Sequence, residues 1–325
     1  MSLPRRRFLH LASGAIALPA VSRIARAQAY PTRPVHIVVG LPPGGNQDLI
    51  ARLIAPWLSE RLGQQIVIDN HPSASNNVAA EAVIRSPPDG YTLLLVGSYN
   101  AINASLYDKL GFDFMRDTAP VASLIRAPSV LLVNPSVPAR TVPEFIAYAK
   151  ANPGKLKMAS AGSGTPPHIA GELFKMMTGV NMLHVPYRGG GPALVDLLGG
   201  QVQVLFGSMA ASIQHVRAGK LRALAVTTVE RSAALPDIPT VASFVPGYEA
   251  STFFGLSAPR ATPPEIVERL NCEINAMLVD PVAKARLADL GGEVLALSPA
   301  DFGKLIADET EKWAKVIQAA NIKPE

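Results

Sequence analysis

Short apolar runs rich in β-branched residues alternate along this chain with segments whose apolar residues recur at helical spacing. That alternation restricts the possible folds more than any other feature of the sequence. Val35–Val39 is such a run, followed by Leu49, Ile50, Leu53, Ile54, Trp57 and Leu58 at helical spacing. Residues 66–68 then read as a strand, 78–84 as a helix stopped by Pro87-Pro88-Asp89-Gly90, and 91–96 as a strand. A β-α-β-α-β order predicts an α/β fold on a parallel, doubly wound sheet covered on both faces. A second series follows, with strands at 130–133, 157–161, 182–185, 202–206 and 224–227. Helices are predicted between them, and the one opening at Thr141 carries a capping box with Glu144. A strand at 253–258 precedes three helices, at 264–278, 281–290 and 299–320. Two series without a flexible linker predict two lobes joined by crossings near 124–128 and 252–256. Lobe 1 is then residues 30–124 with 254–325, and lobe 2 is residues 125–253.

Open α/β sheets bind ligands outside the carboxyl ends of their strands. Four loops stand at such ends. The first runs from Gly40 to Asp48 and contains Pro43-Gly44-Gly45. Its glycines permit close backbone approach, and the helix behind it favours an anion. It also reads as a tight turn capped by Asn46 or Asp48. The second is Ser160-Ala161-Gly162-Ser163-Gly164-Thr165, ahead of two prolines suited to a first helical turn. The others are Gly97-Ser98-Tyr99-Asn100 and Gly207-Ser208. Two such loops facing each other grip a carboxylate without an arginine.

The N-terminus carries Arg5-Arg6-Arg7-Phe8-Leu9, an apolar run to Ala20, and small-x-small sites at Ala25–Ala27 and Ala27–Ala29. This order reads as a twin-arginine export signal covering residues 1–29, which places the mature protein in the periplasm. The apolar run is shorter than the ~20 residues that span a bilayer. The chain has 30 Lys+Arg and 25 Asp+Glu, and five of the arginines and none of the acids lie in residues 1–29. Beyond the signal the basic and acidic residues balance, which argues against a nucleic-acid partner. The lone Cys272 cannot form an internal disulfide and is expected in the core.

Catalytic patterns are missing. No serine sits in Gly-x-Ser-x-Gly, no Gly-Lys pair has the rest of a P-loop, and neither Gly162-x-Gly164 nor Gly189-Gly190-Gly191 completes a dinucleotide loop. The histidines lack metal-ligand spacing, so no metal and no cofactor is expected. His168 reads either as an acid–base group or as packing at a helix start. Arg188 reads as an anion contact or as a surface residue.

The segments Pro42-Pro43-Gly44-Gly45-x-x-Asp48 and Pro88-Asp89-Gly90-Tyr91-Thr92-Leu93-Leu94 resemble the periplasmic receptors of tripartite tricarboxylate transporters, the Bug family. So do Ala159-Ser160-Ala161-Gly162-x-Gly164-Thr165, His184-Val185-Pro186-Tyr187 and residues 218–227. The resemblance covers nearly all of the chain after the signal. It implies a type II periplasmic-binding-protein fold whose lobes close on a small organic carboxylate. It also implies delivery to the membrane subunits of a transporter, by a monomer without enzymatic activity. Carried over by position, the carboxylate pincer is Pro43, Gly44, Gly45, Ser163, Gly164 and Thr165, with Asp48 supporting the first loop. The expected pocket adds Ser98, Asn100, Ser160, Gly162, His168, Tyr187, Gly207 and Ser208. The chain departs from the family pattern at Asn46-Gln47, at residues 71–77 and at Gly207-Ser208, which implies a roomier, less acidic pocket for a linear or aromatic acid. The alternatives are a receptor that presents its ligand to a sensor, and an enzyme using Ser163 with His168.

Overall fold

The computed structural model describes residues 30–72, 76–107 and 109–324. The twin-arginine segment lies outside the described residues. The chain begins β1 (Val35–Val39), α1 (Asn46–Leu62), β2 (Ile66–Asn70), α2 (Asn77–Ile84), β3 (Thr92–Gly97), α3 (Ser98–Leu106), α4 (Phe114–Asp117) and β4 (Thr118–Ala127). It continues with β5 (Ser129–Val133), α5 (Val142–Ala151), β6 (Lys157–Ser160), α6 (Pro166–Thr178), β7 (Leu183–Pro186), α7 (Gly190–Leu198), β8 (Val204–Ser208), α8 (Met209–Arg217) and β9 (Arg222–Val226). It ends with β10 (Thr252–Pro259), α9 (Pro264–Val279), α10 (Pro281–Asp289), β11 (Glu293–Val294) and α11 (Pro299–Ala319).

The strands form two sheets, ordered β11-β4-β10-β3-β1-β2 and β7-β6-β8-β5-β9. Both are mixed, which corrects the expectation of parallel sheets. β1 runs parallel to β2 and β3, but β10 is antiparallel to β3 and β4. β6 runs parallel to β7 and β8, but β5 is antiparallel to β8 and β9. The cause is the crossings. A strand that enters a sheet from the other sheet starts where its neighbours end, so it must run against them. β5 starts opposite the end of β8 (Ser129 with Ser208), and β10 starts opposite the end of β3 (Phe254 with Gly97).

The crossings are tight. Only Pro128 separates β4 from β5. On the return, Ala250 N–H still donates to Thr227 O, just past β9 of the second sheet, while Thr252 already pairs with Ala127 in the first. The Glu249 carboxylate accepts from Ser251 and from Lys312 Nζ (2.7 Å), which ties this crossing to α11.

One face of the first sheet buries Ile37, Leu93, Leu95 and Leu256 against Ile50, Ile54 and Leu58 of α1 and Leu270 and Ile274 of α9. On its other face the core does not stop at the sheet. It runs from Leu94, Val96 and Ile102 through Leu106 to Phe174, Phe206, Tyr248 and Trp313, joining both sheets beside α11. Each large apolar side chain buried there contributes roughly 1.5–3 kcal/mol. Cys272 is exposed, contrary to expectation. The buried stripe of α9 is Val267, Leu270, Ile274, Met277 and Leu278. At about 100° per residue, position 272 points away from that stripe.

Candidate functional site

The carboxyl ends of β1, β3, β6 and β8 converge with the starts of β5 and β10, and a cavity of about 450 Å³ lies at that convergence. Helix starts form much of its wall. α1 contributes Gly45, Asn46 and Gln47, α3 contributes Tyr99, α6 contributes Pro166 and Pro167, α7 contributes Gly190 and Gly191, and α8 contributes Ser208, Ala211 and Ser212. The first N–H groups of a helix have no intrahelical acceptor. At α1, α6, α7 and α8 the N-cap residues Gly45, Thr165, Gly189 and Ser208 supply no side-chain acceptor either. Pro166 and Pro167 carry no N–H, so α6 offers its dipole more than its donors. The rest of the wall is apolar, with Leu41, Leu132, Leu194, Leu205 and Phe254. No described residue lining the cavity carries a formal charge. Such a site suits an anion with an apolar body, held by dipoles rather than by a counter-ion.

The first loop is braced from behind by Asp48. Its carboxylate accepts from Gly44 N–H (2.9 Å), Asn70 Nδ2 (3.0 Å) and Arg52 Nε (2.9 Å). The Arg52 hydrogen bond, helped by those of Gly44 and Asn70, holds the carboxyl at about 2 against the opposing effect of burial. Asp48 is 2% exposed and lies outside the lining. Gly44 adopts φ +81°, a left-handed conformation that glycine permits at little cost. Gly44 and Pro43 are exposed at the loop's outer side, and Gly45 lines the cavity.

The second loop is folded on itself. Ser160 Oγ accepts from Gly162 N–H (3.1 Å), Gly164 N–H donates to His168 Nδ1 (3.0 Å), and Thr165 N–H and Oγ1 both donate to Gly162 O. Since Nδ1 of His168 accepts, the ring proton sits on Nε2, 3.6 Å from Glu172 Oε1. The His168 ring stacks on His184 with centroids 3.6 Å apart, and His184 Nε2 lies 2.6 Å from Ser160 Oγ. Tyr187 donates to Asp196 at 2.6 Å; burial and then that carboxylate push its hydroxyl up to about 12. The amides expected to hold a ligand at Gly162, Gly164 and Thr165 thus have partners within the loop. Ala161 and the two prolines are what this loop presents to the cavity. Ser160, Gly162, Ser163, Gly164, Thr165, His168 and Tyr187 stand behind the lining.

Ser98 and Asn100 are also buried behind it. Ser98 Oγ accepts from Phe253 N–H (3.1 Å), which fixes the start of β10. Asn100 Oδ1 accepts from Gly97 N–H and Asn76 Nδ2, both at 3.0 Å. Gly207 and Ser208 line the cavity, and Arg188 does not. Several lining residues escaped the sequence reading. Asn46 reads in the sequence as a turn cap, and Asn46-Gln47 otherwise marks only a departure from the family pattern. Gly190 and Gly191 belong to a glycine triplet that opens α7, weighed there only as a dinucleotide loop. Tyr99 belongs to a loop singled out for its place at a strand end and Thr252 to a predicted crossing, while Ser129 and Ser212 have no local pattern that marks them.

A model of the tripartite tricarboxylate transporter family receptor matches residues 50–322. BugT of Bordetella pertussis is 36% identical over 311 residues, covering 95% of this chain and 95% of BugT. The solved structure of R. palustris Rpa4515 with adipate matches with a TM-score of 0.81 at 40% identity, covering 91% of this chain and 100% of that one. MatC from Rhodopseudomonas palustris with bound malate matches with a TM-score of 0.76 at 33% identity, covering 89% of this chain and 100% of that one. The type II periplasmic-binding-protein fold, two α/β lobes with a ligand cleft between them, is the fold of this chain.

Proposed function

The chain belongs to the tripartite tricarboxylate transporter receptor family, and from that premise we propose that it captures a small organic carboxylate in the periplasm and delivers it to the membrane subunits of such a transporter. The observation that carries the reading is a chargeless cavity walled by uncapped helix starts. Each helix start contributes roughly 0.3–1 kcal/mol toward an anion, and up to ~2 where water is largely excluded. Hydrogen bonds from backbone N–H groups to the charged oxygens add to that. The adipate and malate held by the two R. palustris proteins support the ligand class. A volume of about 450 Å³ and the apolar, leucine-rich remainder of the wall suit a linear or aromatic carboxylate.

The proposed lobes, residues 30–124 with 254–325 and residues 125–253, close over the ligand, and the protein acts as a monomer without turnover. The Ser163–His168 pair does not favour an enzyme, because His168 Nδ1 is engaged by Gly164 N–H and neither residue lines the cavity. The loops of Pro43, Gly44 and Gly45 and of Ser163, Gly164 and Thr165 are proposed as the two jaws, the first meeting the ligand through Gly45, Asn46 and Gln47 and the second through Ala161, Pro166 and Pro167.

A thermal-shift panel of organic acids tests the reading. An acid at ~100 times its dissociation constant is expected to stabilise the fold by ~2.7 kcal/mol. A panel of aliphatic and aromatic mono- and dicarboxylates that leaves Tm unmoved refutes it. Export is proposed to use the twin-arginine route. Arg5→Lys with Arg6→Lys is expected to leave uncleaved precursor in the cytoplasm, whereas normal periplasmic accumulation assigns general secretion instead.

A further inference from the structure

Gln47 is the anomaly of the cavity wall. It is the second residue of α1, its relative exposure is 0%, and it belongs to the lining. Among the described residues, neither end of its side-chain amide, Nε2 or Oε1, has a hydrogen-bond partner. The amide lies just behind the wall against Gly97, where a Cβ would stand 3.2 Å from Nε2, so it meets a ligand by turning its side chain into the cavity. Leaving one buried donor or acceptor unmatched costs roughly 1–3 kcal/mol, and this residue leaves both. Native proteins rarely keep such a group without a use for it.

Resting on the carboxylate reading above, we propose that Gln47 sets specificity by pairing with a second polar group of the ligand, one that donates and accepts at once, as a hydroxyl or a carboxamide does. A carboxylate accepts only, so it satisfies Nε2 and leaves Oε1 orphaned. An ammonium donates only and leaves Nε2 orphaned. A neutral group with both functions matches both ends. The surrounding chemistry agrees, since no described lining residue offers a charge to a second ionic group. Tyr99, on the same wall, stays protonated because burial pushes its hydroxyl up. The ligand class is therefore a carboxylate that also bears a hydroxyl or carboxamide, its charged end at the helix starts and its neutral polar group at Gln47.

The experiment titrates the full chain with acids that differ in one group: malate against succinate, 6-hydroxyhexanoate against hexanoate, 4-hydroxybenzoate against benzoate, and succinamate against succinate. The hydroxyl pairs and the amide pair distinguish the two sources of the same chemistry. The substituted acid of at least one pair is expected to bind roughly tenfold tighter or better. In Gln47→Met, of similar size and without hydrogen-bonding groups, that preference is expected to disappear. The free Gln47→Met protein is expected to be at least as stable as wild type, since an unmatched amide has been removed. A drop in Tm of the free variant means the amide is satisfied without ligand and overturns the proposal. So does equal binding within every pair that binds, or a preference that survives in Gln47→Met. If none of these acids binds, the carboxylate reading falls first and this inference falls with it.

Discussion

Gly164→Val is expected to destabilise the protein by about 2–5 kcal/mol, lowering Tm by roughly 4–15 °C. Two effects add. Gly164 sits at φ +72°, which costs an L-residue roughly 1–2 kcal/mol, and more when it is β-branched. A Cβ there would also lie 2.2 Å from Leu106 Cδ2, so the side chain meets α3 across the junction between the sheets. Overpacking of that kind costs roughly 1–3 kcal/mol. Gly44→Val is the contrasting case. Its φ of +81° carries the backbone cost, but nothing lies within 4 Å of the added Cβ. Denaturant unfolding of the two variants is expected to rank Gly164→Val well below Gly44→Val. Equal stabilities would show that the loop moves away from Leu106 at little cost.

Asp48→Ala is expected to cost about 2–4 kcal/mol and to weaken ligand binding, because it leaves Gly44 N–H, Asn70 Nδ2 and a guanidinium without their shared acceptor. The wild-type group also carries a pH signature. Its folded value, about 2, lies below the ordinary 3.8. Its contribution is therefore complete above pH 3.8 and is lost as the pH falls through about 2. Over that window Asp48 accounts for about 1–2 kcal/mol of lost stability, Arg52 being half exposed to solvent. Unfolding measured from pH 5 to pH 2 is expected to slope less steeply in Asp48→Asn than in wild type. Parallel slopes would assign the acid sensitivity to other carboxylates.

The sequence carried the elements with strong periodicity, such as β1, α1 and α9, because local apolar spacing alone specifies them. It did not carry β4 as a strand, since Pro120 and Ser123 break its pattern and its partners lie in β10 and β11, more than a hundred residues away. Nor did it carry α3, whose asparagines and serines read as a loop and whose Asn100 is fixed by Asn76 and Gly97. The direction of β5 and β10 follows from crossings, which no local pattern encodes. At the site, strand-end loops were legible from glycine and proline, and they do surround the cavity. Which loop atoms remain available was not legible. That depends on His168 reaching back to Gly164 and on Asp48 reaching back to Gly44, contacts set by helix geometry rather than residue type.

The proposed site holds an anion by helix starts, without a cationic side chain. Calorimetric titration tests it most directly, comparing the acid that stabilises the fold most with its own methyl ester, in wild type and in Arg188→Ala. The acid is expected to bind, the ester to lose at least tenfold in affinity, and Arg188→Ala to bind the acid as wild type does. An ester that binds as well as the acid, or an acid that no longer binds once Arg188 is removed, would contradict it.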